Sequence, residues 1–177
     1  MRIIYCYIVL LLVMAACTPP NKPTQSEYLY WDSVYIKSDF QHHGDYYESG
    51  HQVYAIDLLS DGLDYDSMGY IVGTGYNLFF SDIFAPKDST MRIPAGSYNM
   101  DSVAREMTFL RGMYFEGDVT GTYLLEIDDQ QIQQIVLFTA GSMTIDYVGN
   151  DTLLDIDLYT ADSTHYHAIY RGYVRVN

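Results

Sequence analysis

The sequence predicts an all-β protein, an antiparallel two-sheet β-sandwich of about nine to ten strands, and three observations support that class. Apolar and polar residues alternate in several short runs; Leu154, Ile156 and Leu158, for example, share one face of such a run. Turn signals that contain Gly separate the runs, and the sequence carries no long amphipathic helical pattern. Alternation of this kind is typical of antiparallel sheets with one face in water. A closed antiparallel β-barrel is the alternative, because it uses the same short strands.

Nine segments carry the strand pattern, in order along the chain. They are residues 28–37, 53–60, 76–85, 97–100, 120–127, 131–138, 142–148, 153–160 and 165–176. Gly96 and Gly121 each precede a Ser or Thr that opens a strand, since the turn before it needs a positive φ. Residues 101–107 differ, because Asp101 or Ser102 can act as an N-cap, and they predict a short helix.

An internal repeat links the two halves of the chain. Residues 54–60 and 154–160 follow the same alternating pattern, and a predicted tyrosine-bearing strand with a Gly turn precedes each, at residues 45–47 and 146–147. A Gly-Tyr pair follows each of them, at Gly75 and at Gly172. The repeat predicts a duplicated meander, two related groups of three strands joined by a middle section. Chance similarity is the other interpretation, because half-exposed strands resemble one another.

The N-terminus has the layout of a secretory signal peptide over residues 1–16. Arg2 is followed by an apolar run, and two small residues, Ala15 and Ala16, stand directly before Cys17. Residues 17–27 contain three prolines among polar residues and predict an extended tether. Residues 28–177 then form the single all-β domain, which is long enough for a proper core.

The sequence Val13-Met14-Ala15-Ala16-Cys17 resembles the bacterial lipobox, and residues 93–98 resemble a sequence motif common in β-domain lipoproteins. Together these features are similar to uncharacterised all-β cell-envelope lipoproteins of gut Gram-negative bacteria. The resemblance implies a lipid on Cys17 and attachment to the outer membrane; it implies no catalytic residue. Residues 18–21 lack the acidic run associated with surface display. Periplasm-facing and surface-exposed orientations therefore both stay open.

Composition excludes several kinds of function. Acidic residues number 23 against 9 basic ones, and the net charge of −14 leaves no basic footprint for nucleic acid. The two cysteines are Cys6, in the predicted leader, and Cys17. A mature domain without a free thiol has neither a thiolate metal site nor a cysteine nucleophile.

Tyrosine is over-represented, with 19 residues against 7 Phe and 1 Trp. Flat aromatic rings stack on sugar faces and anchor protein interfaces. Tyrosines also occupy half-wet sheets without any ligand. The predicted ligand-binding residues are Tyr28, Tyr30, Trp31, Tyr35, Tyr46 and Tyr47.

Two segments offer ligands for a metal. Asp61, Asp64 and Asp66 lie in an acidic loop bounded by glycines that suits calcium, although their spacing is not that of an EF-hand. His165 and His167 would face the same way on a strand, as zinc ligands do, but no third ligand is evident nearby. No other cofactor is predicted.

The composition and motifs favour a non-catalytic envelope lipoprotein that binds a glycan or a protein through a tyrosine-rich β surface. A glycan-processing enzyme is the alternative, since acidic residues are abundant, but no pair of carboxylates stands out. A structural part of an envelope assembly is the third interpretation.

Overall fold

The structure is a computed structural model that describes the backbone of residues 29–30 and all of residues 35–89 and 92–173. These residues form fifteen strands and no helix, which confirms the all-β prediction. The strands are β1 Leu29–Tyr30, β2 Tyr35–Gly44, β3 Gln52–Ser60, β4 Leu63–Tyr65, β5 Ile71–Gly73, β6 Gly75–Ala85, β7 Gly96–Asp101, β8 Thr108–Leu110, β9 Met113–Phe115, β10 Asp118–Thr120, β11 Thr122–Asp128, β12 Gln131–Leu137, β13 Ala140–Val148, β14 Asp151–Tyr159 and β15 His165–Tyr173.

Eleven of the strands belong to one hydrogen-bonded sheet, and the remaining four form two small ribbons, β4–β5 and β9–β10. The main sheet runs β1-β15-β14-β13-β7-β8-β6, and β3 then β2 continue it beyond β6. Neighbours are antiparallel except for the β1–β15 and β7–β8 pairs, which are parallel. This agrees with the antiparallel pattern that the alternation predicts.

The sheet forks at β6. One edge of β6 pairs with β3 along most of its length. Its other edge pairs with β11 over Gly75–Phe80 and with β8 at Ile83 and Phe84. Strand β12 continues outward from β11 as a flap. Ser81 and Asp82 occupy the point at which β6 changes partner.

The sheet curls until its two ends meet. Strands β2 and β15 pack together, and Ser38 Oγ lies 2.7 Å from Tyr170 Oη across the contact, which we call the seam. The architecture is therefore nearly that of a closed barrel, the alternative that the sequence leaves open. The described strands of the main sheet are not divided into the two packed sheets of the predicted sandwich, because hydrogen bonds join them all into one sheet.

Side chains fill the interior of the curled sheet. The alternation places Leu154, Ile156 and Leu158 inside, all at most 1% exposed, as the sequence predicts. Aromatic rings contribute as well, with Phe80 edge-on to Phe109 at 5.4 Å between ring centroids. A void lined by residues such as Leu78 and Leu124 holds only about 10 Å³, about enough for one water.

Two three-strand antiparallel meanders lie where the internal repeat predicts them. The first is β2–β3–β6 and the second is β13–β14–β15. The central strand of the first meander, β3, directs Tyr54, Ile56 and Leu58 into the core. The matching residues of β14, the central strand of the second meander, lie in the same core. The Gly-Tyr pairs do not correspond, because Gly75 begins β6 whereas Gly172 lies near the end of β15. The tyrosine-bearing strand predicted at residues 45–47 is wrong as well, since these residues form the loop between β2 and β3.

The prediction of a short helix over residues 101–107 is wrong. Asp101 ends β7, and its Oδ1 accepts hydrogen bonds from the amides of Ser102, at 2.6 Å, and Val103, at 3.3 Å. A carboxylate that caps these amides stabilises a turn as well as it caps a helix. Within the described part of the chain, no helix is long and apolar enough to cross a membrane.

Candidate functional site

The loop between β2 and β3 is held by one carboxylate. Asp45 accepts hydrogen bonds from the amides of Ser49, at 2.8 Å, and Gly50, at 3.0 Å. The Glu48 amide donates to the Asp45 carbonyl at 3.1 Å, and Glu48 has a positive φ of 52°. These bonds satisfy the loop's backbone locally, so the residues between them have a defined position.

Tyr46 and Tyr47 project from this loop and form the tyrosine pair. Their rings meet edge to face, with centroids 5.0 Å apart and planes at 88°. Tyr46 is 71% exposed and Tyr47 is 49% exposed. The Tyr47 ring also packs on the buried Phe84, at 6.0 Å between centroids. The pair therefore presents aromatic surface to solvent from a base fixed on the core.

Asp82 lies beside the pair with its side chain almost entirely buried, 7% exposed. Tyr47 Oη donates to Asp82 Oδ1 at 2.7 Å, and Ser81 Oγ donates to Oδ2. Ser81 Oγ in turn accepts the Gly121 amide at 2.8 Å. Desolvation of the phenol and its bond to Asp82 raise the pKa of Tyr47 well above its ordinary value, so the hydroxyl remains a donor.

A β-bulge directs Asp82 to this position. The register between β3 and β6 shifts between Tyr54 and Ile56, which pair with Ile83 and Phe80. Ser81 and Asp82 together therefore lie opposite the single residue Ala55. Bulges re-aim side chains in this way and occur often beside functional sites.

These residues enclose an open groove of about 330 Å³, which we call the tyrosine groove. Its lining combines an aromatic wall, a hydroxyl and a carboxylate that retains acceptor capacity beyond its two internal bonds. Such a set can stack on a flat apolar face and accept hydrogen bonds from hydroxyl groups. The lining residues are His43, Tyr46, Tyr47, Val53, Ser81 and Asp82.

Aromatic rings beside a polar acceptor occur in binding sites on unrelated folds. The chain matches no protein-family model, no curated protein and no solved structure. Function therefore has to follow from the residues of the groove itself.

The other predicted aromatic residues do not join the groove. Tyr35 is 6% exposed and belongs to the core. Its ring therefore does not lie on the surface, where ligand binding was predicted. The backbone of Tyr30 pairs with His167 in the β1–β15 ladder. Tyr28, Trp31 and Cys17, the predicted lipid-attachment residue, lie outside the described residues.

The acidic loop predicted for calcium directs its carboxylates to protein partners. Asp64 Oδ2 lies 2.7 Å from Lys37 Nζ, and this hydrogen-bonded ammonium holds the pKa of Asp64 below its usual range. Asp66 Oδ1 accepts the amides of Met68 and Tyr70 at 2.8 and 2.9 Å. Within the described residues, the three acids of this loop do not form a cluster of ligand atoms. Asp61 is exposed in the adjoining turn.

Sequence reasoning found the tyrosine pair and missed Asp82 and Ser81. A signal was present, because the two polar residues interrupt an otherwise apolar run from Leu78 to Ala85. Their role depends on the bulge opposite Ala55, which alternation along one strand does not reveal.

Proposed function

We propose that this protein is a non-catalytic cell-envelope lipoprotein that binds a glycan in the tyrosine groove. The observation that carries the proposal is the exposed tyrosine pair held beside the buried carboxylate of Asp82. A sugar ring has an apolar face that stacks on an aromatic ring and a rim of hydroxyls that donate to carboxylates. The groove offers both kinds of contact within one open site.

Preorganisation supports binding by this loop. The Asp45 carboxylate fixes the loop backbone, and Phe84 and Asp82 fix the Tyr47 ring. Ordering a side chain or loop on binding costs free energy, and a site that is already ordered avoids much of that cost. The groove can therefore retain useful affinity for a ligand that makes few contacts.

The lining of the groove favours binding over hydrolysis. A typical glycoside hydrolase uses two carboxylates that flank the scissile bond. The groove is lined by one, Asp82, whose two oxygens already accept hydrogen bonds from Tyr47 and Ser81. A protein partner is the alternative ligand, since exposed tyrosines also anchor protein interfaces.

Location forms part of the proposal. The lipobox-like ending at Cys17 supports acylation of that thiol and attachment to the outer membrane through the tether of residues 17–27. The net charge of −14 disfavours nucleic acid as a partner. An intact mass of the membrane-extracted protein that shows no acyl group would contradict the anchor.

The test is binding of the full-length protein, purified in mild detergent, to a broad panel of immobilised glycans. Calorimetry then measures the affinity of a glycan that binds. We expect Tyr46→Ala and Tyr47→Ala each to weaken that affinity about tenfold, because a lost aromatic contact is worth about 1–1.5 kcal/mol.

Tyr173→Ala is the matched control, since Tyr173 is also 71% exposed and lies at the end of β15, away from the groove lining. The control should bind as the wild type does. An affinity that falls equally in all three variants, or in none of them, excludes the tyrosine groove as the site. Absence of binding to every glycan shifts the assignment to a protein partner.

A further inference from the structure

Two aspartates and two histidines face each other across β14 and β15, on the outer surface of the second meander. Asp155 and Asp157 alternate with the core residues of β14, so their side chains point away from the core. His165 and His167 alternate along β15 in the same way. In the ladder Asp157 pairs directly with His167, which brings all four side chains to one patch.

Hydrogen bonds already join these side chains. His165 Nε2 lies 2.8 Å from Asp157 Oδ1, and His167 Nε2 lies 3.0 Å from Asp155 Oδ1. The imidazoles are about one-fifth exposed, at 19% for His165 and 23% for His167, whereas the carboxylates of Asp155 and Asp157 are 63% and 44% exposed. The ligand atoms are therefore gathered and held at a surface that an ion can reach.

We propose that Asp155, Asp157 and His167 bind a divalent transition-metal ion, Zn²⁺. One ligand atom from each of the three residues lies within 4.8 Å of the other two, and within the described residues this is the one group with that geometry. Ligands around a tetrahedral Zn²⁺ at about 2.1 Å are separated by about 3.4 Å. Rotation of the side chains would bring the ligand atoms from within 4.8 Å to this separation.

The donor set favours Zn²⁺ over Ca²⁺ and Mg²⁺. One imidazole nitrogen with two carboxylate oxygens suits Zn²⁺, whereas Ca²⁺ and Mg²⁺ prefer sites made of oxygen alone. Three protein ligands leave the fourth tetrahedral position to water. The net charge of −14 also raises the local concentration of cations at the surface.

His165 acts as a positioning residue for Asp157. Its Nε2 holds Asp157 Oδ1, and its ring stacks on Tyr159, with centroids 4.6 Å apart and planes at 11°. Groups that hydrogen-bond to a metal ligand restrict its orientation and strengthen metal binding. Loss of His165 should therefore weaken the site without abolishing it.

The test is calorimetry of the full-length, untagged protein with ZnCl₂ alone, with CaCl₂ as the comparison ion. We expect one Zn²⁺ per chain, and a higher melting temperature with Zn²⁺ than with Ca²⁺, since a ligand that binds the folded state stabilises it. His167→Ala and Asp157→Asn should each weaken Zn²⁺ binding at least tenfold, and His165→Ala should weaken it less.

His43→Ala is the matched control, because His43 is an exposed strand histidine on β2, outside the cluster. This variant should bind Zn²⁺ as the wild type does. Far-ultraviolet circular dichroism verifies that each variant folds. Zn²⁺ binding that His167→Ala and Asp157→Asn leave unchanged, or no binding by the wild type, overturns the proposal.

Discussion

Asp57 shows how the surroundings of one residue can couple stability to pH. It lies on the outer side of β3, where it accepts hydrogen bonds from Tyr65 Oη, at 2.7 Å, and from Asn77 Nδ2. Burial raises the pKa of Asp57 above its ordinary value of 3.8, and the two hydrogen bonds offset only part of that rise. Asp39, its partner in the β2–β3 ladder, raises this pKa further.

Asp57→Asn should remove a pH dependence of folding. Between pH 3.8 and the higher pKa of the folded state, the folded protein binds more protons at Asp57 than the unfolded chain does. The wild type therefore loses stability relative to Asp57→Asn as the pH rises through this window. Urea unfolding of both proteins at a series of pH values measures the difference in the free energy of unfolding. A difference that stays constant with pH would contradict the assignment.

At the scale of single residues, the sequence predicts chemistry more readily than position. The tyrosine excess singles out Tyr46 and Tyr47, but the sequence predicts them on a strand, whereas they lie in the loop between β2 and β3. Tyr35 was predicted beside them and is buried, since one strand can direct a tyrosine to either face. The carboxylates of Asp155 and Asp157 beside His165 and His167 were not evident from the sequence, because β14 brings them there through strand pairing.

Among the elements, β6 and β11 meet at a glycine that no other residue replaces easily. Gly121 has a φ of +79°, and a Cβ on it would lie 1.9 Å from the Arg111 carbonyl oxygen. Its carbonyl also accepts the Ser81 amide at 3.0 Å. The junction therefore needs both the left-handed conformation and the absence of a side chain.

Gly121→Ala should lower the free energy of unfolding by more than about 2 kcal/mol, because conformational strain and displacement of Arg111 add together. Gly149→Ala is the control: its φ is +64° and a Cβ there meets nothing within 4 Å. That variant should cost only about 1 kcal/mol, the cost of the left-handed conformation alone. Chemical denaturation compares the two, and equal losses would show that the contact with Arg111 is not decisive.

Strand length explains only part of which elements the sequence predicts, because the ten-residue β2 overlaps the predicted segment 28–37 only at residues 35–37. The long strands β3, β6 and β14 contain enough apolar or alternating residues to be found with nearly correct ends. Strands β4, β5, β8, β9 and β10 have three residues each, too few for a period of two to be recognised. The predicted helix at 101–107 failed because an N-cap residue stabilises a turn equally well.

For the whole molecule, the seam between β2 and β15 decides whether the sheet is open or nearly closed. Ser38 Oγ and Tyr170 Oη are 2.7 Å apart, and Tyr170 is 2% exposed. Loss of such a partly buried hydrogen bond costs about 0.5–1.5 kcal/mol, since Tyr170 Oη also donates to the Tyr173 carbonyl at 3.5 Å. Ser38→Ala and Tyr170→Phe should therefore each destabilise the protein.

The double variant should cost less than the sum of the single ones, with a coupling of about 1 kcal/mol. Urea unfolding of the four proteins measures this coupling. Ser97→Ala on the exposed face of β7 is the control and should change stability by less than about 0.5 kcal/mol. Additive effects at Ser38 and Tyr170 would show that the seam hydrogen bond is not significant.

The sequence leaves sandwich and barrel open for a physical reason. Alternation shows which side chains face the core, but it does not show which strand lies beside which. The fork at β6 and the contact between β2 and β15 depend on pairing between distant segments. The tyrosine groove depends on the same pairing, because Asp82 reaches it through the β3–β6 bulge.

The seam also has a consequence for how fast the protein folds. It joins residues 132 positions apart, so most of the chain must be ordered before the contact can form. Proteins dominated by such distant pairings fold in about milliseconds to seconds, far more slowly than helical bundles of similar stability. Until the seam closes, the apolar inner face of the sheet stays accessible to neighbouring chains. Topology, more than the strength of any single contact, therefore limits how quickly a newly made chain matures.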